Sequence, residues 1–320
     1  MTSLSVSVPT GPVNASVRLF ARAARDLNAS RLWVGQSMSI ETHQVFAFLS
    51  GLGYLQPFGS GVVLTPLQHP YQAATAARSI AALSGHDYVL GIGPGAAGFQ
   101  TALGSRYSAP LDSMREYLDA VRGLLHGEGA VFEPDGARVD LTPMPSPPVY
   151  LGVGVLGVPM ARVAREHADV AITWLAPLNY IGRKLVPELR GGQDSGRTRL
   201  VATVHCIVEP PGERFDLPQM VSSVVGRHLG APHYLRMLKN AGLPISDDPA
   251  VNAKTVVEER VFAIGSVEEV VDRIEEYFAA GADEVAVNVG ATLLTHGLAA
   301  AFRDLRAIFN ETARRREMAA

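Results

Sequence analysis

Eight short apolar runs, each stopped by a glycine, a proline or a polar turn, punctuate the chain, and most lead into a longer stretch with helical spacing. This alternation limits the fold more than any other feature, because a repeated strand-then-helix rhythm calls for a parallel sheet covered by helices. The strand runs are residues 4–8, 31–34, 61–64, 88–92, 149–153, 169–174, 198–208 and 284–289. Helix signals fall between them. Asn14 and Thr42 are candidate caps, Pro70 suits a first turn, and Ser266 with Glu269 spells a capping box. Helical patterns run over 110–125, 159–167, 177–189 and 298–313, and residues 191–196 read as a polar loop.

Strands sheltered on both faces fit a closed sheet, so the expected fold is a (β/α)8 TIM barrel. An open doubly wound sheet is the rival, but Pro9-Thr10-Gly11-Pro12 after the first strand is no dinucleotide fingerprint. Two segments break the rhythm. Residues 130–142 hold two β-like runs about Asp135-Gly136, which predicts a hairpin inserted before strand five. Residues 210–262 carry helical patterns and predict an insertion after strand seven that covers a pocket. The expectation is one domain over 1–320 with these two insertions.

Charge bears on partners. The 28 basic and 31 acidic side chains leave a net charge of -3, which gives no reason to expect nucleic acid or an anionic membrane as partner. A small molecule is easier to accommodate. Cys206 is the only cysteine, so neither an internal disulfide nor a cysteine-rich metal site is expected. The histidines form no metal-ligand spacing, and no apolar run reaches spanning length; a cytoplasmic protein without metal is the expectation.

Several pieces carry a family likeness: Leu32-Trp33-Val34-Gly35, Gly61-Val62-Val63-Leu64-Thr65-Pro66 with His69-Pro70, Leu90-Gly91-Ile92-Gly93-Pro94-Gly95, and the run 149–168 ending in Ala168-Asp169. With Gly265-Ser266 and Gly281-Ala282-Asp283-Glu284, they make a chain that resembles the bacterial-luciferase-like superfamily, particularly its deazaflavin (coenzyme F420)-dependent oxidoreductases. The resemblance implies a barrel with insertions that binds F420, or alternatively FMN, across its mouth. It implies hydride transfer to or from a small organic substrate, a reduction of C=C, C=N or C=O being the leading form. It further implies a homodimer joined near strands two and three, and a third strand end pressed against the cofactor, sometimes through a non-proline cis bond.

Particular residues can be matched to these tasks. Glycine lets a ligand approach the backbone, and a helix start offers unpaired N–H groups worth about 0.3–1 kcal/mol to an exposed anion. Gly154, Val155, Leu156, Gly157 and Val158 are therefore the candidate phosphate site. Gly91, Gly93 and Gly95 are candidates to line the ring, with Val62, Val63 and Thr65 from the third strand end and Gln36 beyond the second. Trp174 can supply an aromatic wall, and Arg183 or Lys184 a cation for the acidic F420 tail. His43, Glu41 and His69 are the candidate proton carriers, since imidazole titrates near neutrality and burial raises a carboxyl. His205, inside strand seven, is a weaker candidate. An FMN-dependent monooxygenase and a non-catalytic barrel subunit are the competing readings.

Overall fold

The computed structural model describes residues 2–9, 16–37, 39–133, 135–191 and 198–319. Among the described residues there are ten strands: β1 (Ser3–Val8), β2 (Leu32–Val34), β3 (Phe58–Ser60), β4 (Val63–Leu64), β5 (Tyr88–Gly93), β6 (Val149–Gly154), β7 (Val170–Trp174), β8 (Arg199–Val208), β9 (Ala263–Gly265) and β10 (Glu284–Asn288). The fold is an eight-stranded parallel β/α barrel, with β3 and β4 forming one interrupted strand and β9 an addition beside β8. The chain divides into two compact units. One comprises Arg31–Ile172 and Leu189–Thr198; the other comprises Met1–Ser30, Thr173–Glu188 and Arg199–Ala320.

In the first unit β2 pairs with β3, β3 and β4 with β5, β5 with β6, and β6 with β7, all parallel. Side chains of β5 alternate by face. Tyr88 points towards the helix Thr42–Gly51, whose Phe46 meets Tyr88 at 5.7 Å and stacks on Phe58 at 4.7 Å. Val89, Gly91 and Gly93 take the opposite face, and there Ile172 crowds the glycine positions. Between β3 and β4 the register slips. Phe58 and Gly59 pair with Tyr88 and Val89, whereas Val63 and Leu64 pair with Ile92 and Gly93. Gly61 and Val62 therefore stand opposite the single residue Gly91, a β-bulge.

In the second unit β10 lies between β1 and β8. Ser5 donates to Glu284 at 2.6 Å and Asn288 to Ser7 at 3.1 Å, so the polar residues of these strands share one face. The register sets His205 beside Asn288 on that face. Cys206 faces the other way, towards the buried Asp304 of the helix Gly290–Ala319.

Several sequence expectations shift in detail. Strand three begins at Phe58 rather than Gly61, because the bulge interrupts it. Glu41, not Thr42, caps the second helix, since its longer side chain reaches the Gln44 amide at 2.8 Å while still meeting His43. The expected hairpin is a single antiparallel bridge between Ala130 and Val139, with Gly136 N donating to Glu133 O at 2.8 Å. The pattern over 177–189 breaks into a short helix, a π-helical turn and another short helix. The final helix starts at Gly290 and breaks at Gly297. The capping box of Ser266 and Glu269 and the first-turn Pro70 form as expected. The cap at Asn14, the loop at Thr10-Gly11-Pro12 and residues 192–196 of the polar run lie outside the described residues.

A Cβ on Gly91 would lie 2.0 Å from the Ser60 carbonyl oxygen and 2.4 Å from Ile172 Cδ1. Backbone cannot step aside as a flexible side chain can, so Gly91→Ala should cost about 1–3 kcal/mol or more. Gly98, in the helix Ala97–Ala102, has nothing within 4 Å, and Gly98→Ala should be neutral or stabilise by up to about 1 kcal/mol. Urea unfolding of the two variants measures the contrast.

Candidate functional site

The bulge is tied down from both sides. Gly61 N donates to Val34 O and Gln36 N donates to Val62 O, each at 3.0 Å, and the Gly61–Val62 peptide is cis. Val62 then leans over neighbouring strand ends. Its Cγ2 is 2.8 Å from where a Gly93 Cβ would stand, and its Cγ1 is 3.5 Å from that of Gly154. Leu64 Cδ1 is 3.6 Å from where a Gly95 Cβ would stand. The structure thus brings Gln36, Val62, Gly91, Gly93 and Gly154 together as a ledge of bare backbone and one small side chain. Val63 is buried and turned away with its register partner Ile92.

Residues that sequence reasoning missed hold the rim of this ledge. Tyr107 donates its hydroxyl proton to Thr65 Oγ1 at 2.7 Å, leaving the Thr65 proton available to a ligand. The buried Gln100 donates to Pro94 O at 2.8 Å and Gly95 O at 3.1 Å, and accepts from Tyr107 N. Each partner lies 5 to 42 positions away in the chain, and no local motif marks them.

Beyond β6 the helix Val158–His167 starts at Gly157 with no side-chain cap. Val155 is buried and its amide donates to Ile172 O at 2.8 Å, so it serves the sheet rather than an anion. Leu156 also makes an interaction of its own. Pro159 brings no N–H, which leaves the first-turn amides of Val158 and Met160, with no intrahelical acceptor, as the donors here.

Glu41, His43 and Gln68 form a separate cluster. His43 Nδ1 is 2.9 Å from Glu41 Oε1, and Gln68 Nε2 donates to the same oxygen at 3.1 Å. Burial would raise the Glu41 carboxyl, but the His43 hydrogen bond, the Gln44 amide and the imidazole charge outweigh it and bring it down to about 2. With Glu41 ionised, Nδ1 carries the shared proton. His43 is buried, its Nε2 has no partner among the described residues, and its ring lies edge-on to Tyr88 at 6.0 Å. Tyr88 is on the helix-facing side of β5, so the pair sits on the side away from the glycine ledge. His69 is exposed; it caps the helix Pro70–Ser84 through Tyr71 N at 3.2 Å and lies against Phe132 of the hairpin at 4.3 Å. No hydrogen bond among the described residues joins it to Glu41 or His43.

The second unit holds its own cluster. His205 is 2% exposed, stacked on Phe262 at 4.5 Å and meeting Trp174 edge-on at 4.6 Å. His228, from the helical insertion, lies 5.9 Å from Trp174 and 4.9 Å from Tyr234. Burial lowers His205 to about 3 and His228 to about 4, so both imidazoles are neutral near pH 7. Arg183 and Lys184 are exposed on the π-helical turn Ile181–Leu185, opposite the buried Ile181 and Leu185. Among the described residues, no group of three or more His, Cys, Asp or Glu could hold a metal ion. No described helix is long and apolar enough to cross a membrane.

The scaffold is a parallel β/α barrel with a bulged strand, in which glycines at three neighbouring strand positions make room for Ser60, Ile172 and Val62. The chain matches the family described as luciferase-like monooxygenase over residues 3–284 and belongs to it, which makes it a member of an oxidoreductase family. A 5,10-methylenetetrahydromethanopterin reductase of Methanolobus tindarius is 25% identical over 169 residues, 51% of this chain and 50% of that protein. The chain thus spans about half the length of this relative. The coenzyme F420-dependent tetrahydromethanopterin reductase of Methanopyrus kandleri superposes with a TM-score of 0.73 at 16% identity, over 96% of this chain and 97% of that one. A type II Baeyer-Villiger monooxygenase of Pseudomonas putida, in complex with FMN, superposes with a TM-score of 0.67 at 18% identity, over 96% of each chain.

The lowered histidines set an acid limit on the fold. Between pH 6.5 and about 3–4 the unfolded chain binds more protons at His205 and His228 than the folded one, so stability falls as pH falls. Glu41 extends the loss below its ordinary 4.5 towards about 2, because its folded carboxylate resists protonation. Urea unfolding at fixed steps from pH 7.5 to 4.5 should show this slope, and His205→Phe with His228→Phe should flatten it.

Proposed function

We propose that this protein is an F420-dependent oxidoreductase that transfers hydride between the deazaflavin and a small organic substrate, in the reductive direction at a C=C, C=N or C=O bond. The observation that carries the reading is the ledge of Val62, Gly91, Gly93 and Gly154. The glycines let Ser60 and Val62 close in on β5, so that the partly exposed Val62 is the small side chain on which a flat ring would rest. The relatives named for methanopterin reduction support F420; FMN is the alternative, on the strength of the Baeyer-Villiger fold relative.

The chain's own residues would divide the work. Gln36, Val62 and the glycine positions support one face of the ring, and Thr65 donates its hydroxyl proton to a polar ring atom. Val158 and Met160 amides, with the Gly154–Gly157 turn, hold the phosphate. When bound, the deazaflavin supplies two-electron hydride chemistry, and the protein fixes its distance to the substrate and excludes water. Glu41 and His43 anchor the helix that follows β2, because their contacts lie on its side of the sheet. His69 holds the hairpin through Phe132.

A second copy of this chain is the proposed partner. Phe48, Leu52 and Leu55 are spaced along one side of the helix after β2 and its continuation, each about half exposed at 48–54%, and Leu83 on the helix after the bulged strand is 56% exposed. Such a row of large apolar groups is costly to leave in water.

Titration of the purified protein with F420 and with FMN, followed by absorbance and protein fluorescence, should show tighter F420 binding. Gly157→Asp, which places a carboxylate at the helix start, should weaken F420 binding at least tenfold, about 1.4 kcal/mol, without lowering the thermal midpoint. Tight FMN binding with oxygen-dependent turnover would reverse the assignment. His43→Gln should lower the thermal midpoint but change the F420 Kd less than threefold. Light scattering should give a dimer mass, and Phe48→Glu with Leu52→Glu should give a monomer.

A further inference from the structure

Among the described residues of the unit containing β8 and β10, Trp174 Nε1, both ring nitrogens of His205 and His228 Nδ1 are buried without a partner in hydrogen-bond geometry; Arg273 Nε, on the helix Val267–Ala279, is a fifth such atom. The first four belong to one contiguous group of rings, with Trp174 in contact with both histidines. Asn288 stands beside His205 across the ladder and its side chain interacts with one ring nitrogen, while its amide donates to Ser7 and its oxygen accepts from Gly290 N at 2.9 Å, so His205 has at most this one shared partner. Buried polar groups are almost always paired, and a cluster this short of partners needs an explanation. Trp174 and His228 are half-buried, so the cluster is bordered by solvent on their side while His205 lies beneath.

The donors and acceptors define what would satisfy them. Indole offers one N–H and no acceptor, and each neutral imidazole offers one donor and one acceptor. The surrounding rings, Phe262 and Tyr234, are uncharged and apolar on their faces. A carbonyl oxygen would accept from Trp174 and from an imidazole N–H; a hydroxyl could also donate to an imidazole lone pair. Burial keeps His205 and His228 neutral, so neither ring supplies a cation to a carboxylate, and the rings offer no anion to an ammonium group; His233, beside Tyr234, and Arg236 lie farther out on the insertion.

We propose that Trp174, His205 and His228 form a seat for an uncharged hydrogen-bonding group, a carbonyl or a hydroxyl, carried on an apolar scaffold, and that the seat selects against carboxylates and ammonium ions. The proposal rests on the oxidoreductase reading only in taking this ligand as the substrate. His228 and Trp174 are the specificity-determining contacts; His205 is buried behind them and orders the oxygen-bearing end.

The test uses the full chain without cofactor and four six-membered rings: 2-cyclohexen-1-one, cyclohexene, cyclohexanecarboxylate and cyclohexylammonium. Calorimetry should show the enone binding at least tenfold more tightly than each of the other three. The same enone should shift the ring 15N resonances of His205 and His228, and cyclohexene should not. Trp174→Phe and His228→Phe should each weaken enone binding at least fivefold, whereas His228→Gln, which keeps a donor, should stay within threefold of the parent. Thermal melts identify any variant that fails to fold, and the 15N shifts on the unaltered protein then decide. Equal binding of cyclohexene and enone, preference for the carboxylate or the amine, or unmoved histidine resonances would overturn the proposal. An enone preference in a chain that binds neither F420 nor FMN would leave the seat standing and remove the hydride-transfer reading; F420 binding without that preference would remove the seat alone.

Discussion

The carbonyl of Ser60 lies where the side chain of residue 91 would be, and much of the first unit follows from that contact. Two residues, Gly61 and Val62, must fit opposite one, and only a glycine at 91 leaves room for the displaced backbone. The bulge ends the ladder between β3 and β5 and restarts it as β4. It turns Val62 towards Gly93 and Gly154 and lets its carbonyl take the Gln36 amide. One close approach therefore fixes the ends of four strands. A bulge is a common device for re-aiming side chains at strand ends.

The two faces of β5 carry different chemistry. The helix-facing side holds large rings and one ionised carboxylate, with Phe46, Phe58 and Tyr88 packed beside the Glu41–His43 pair. Its charge is spent on a helix start and on an imidazole, both within the scaffold. The other side has no side chains at Gly91 and Gly93, and Ser60, Ile172 and Val62 close over the space they leave. In the second unit the polar face of β1, β8 and β10 is satisfied at Ser5–Glu284 and Ser7–Asn288. It then passes to His205, which has only the already engaged Asn288 beside it. A buried residue so short of hydrogen bonds is more informative than its sequence neighbours suggest, because the fold bears its desolvation with little return from the protein.

The barrel itself was legible in the sequence, since the strand runs and helical periods follow from burial on two faces and on one stripe. The glycines at 91, 93 and 154 were also legible as places of close approach, although not what they approach. Three kinds of feature were hidden. Glu41 replaced Thr42 as the helix cap because a reach of one side chain decides between them. The short β9 has only three residues and gains its ladder from β8. Tyr107 and Gln100 lock the loop after β5 through contacts with residues far apart in the chain, such as Thr65.

The order of residues by itself determined the alternation of strand and helix, the two insertions and the supply of glycines, because each depends on spacing within one segment. Only the tertiary structure decided which side of the sheet a residue serves. His43 reads in sequence as a proton carrier beyond a strand, and packing sets its ring edge-on to Tyr88, whose own ring meets Phe46 of the helix after β2. His205 was a weaker candidate in the sequence, yet the same rules set it beside Trp174 in one group of rings with His228. A strand exposes alternate residues to opposite faces, so a single-residue shift such as the bulge at Gly61–Val62 reassigns the face of what lies beyond it. That shift is visible only when the partner strand is in place.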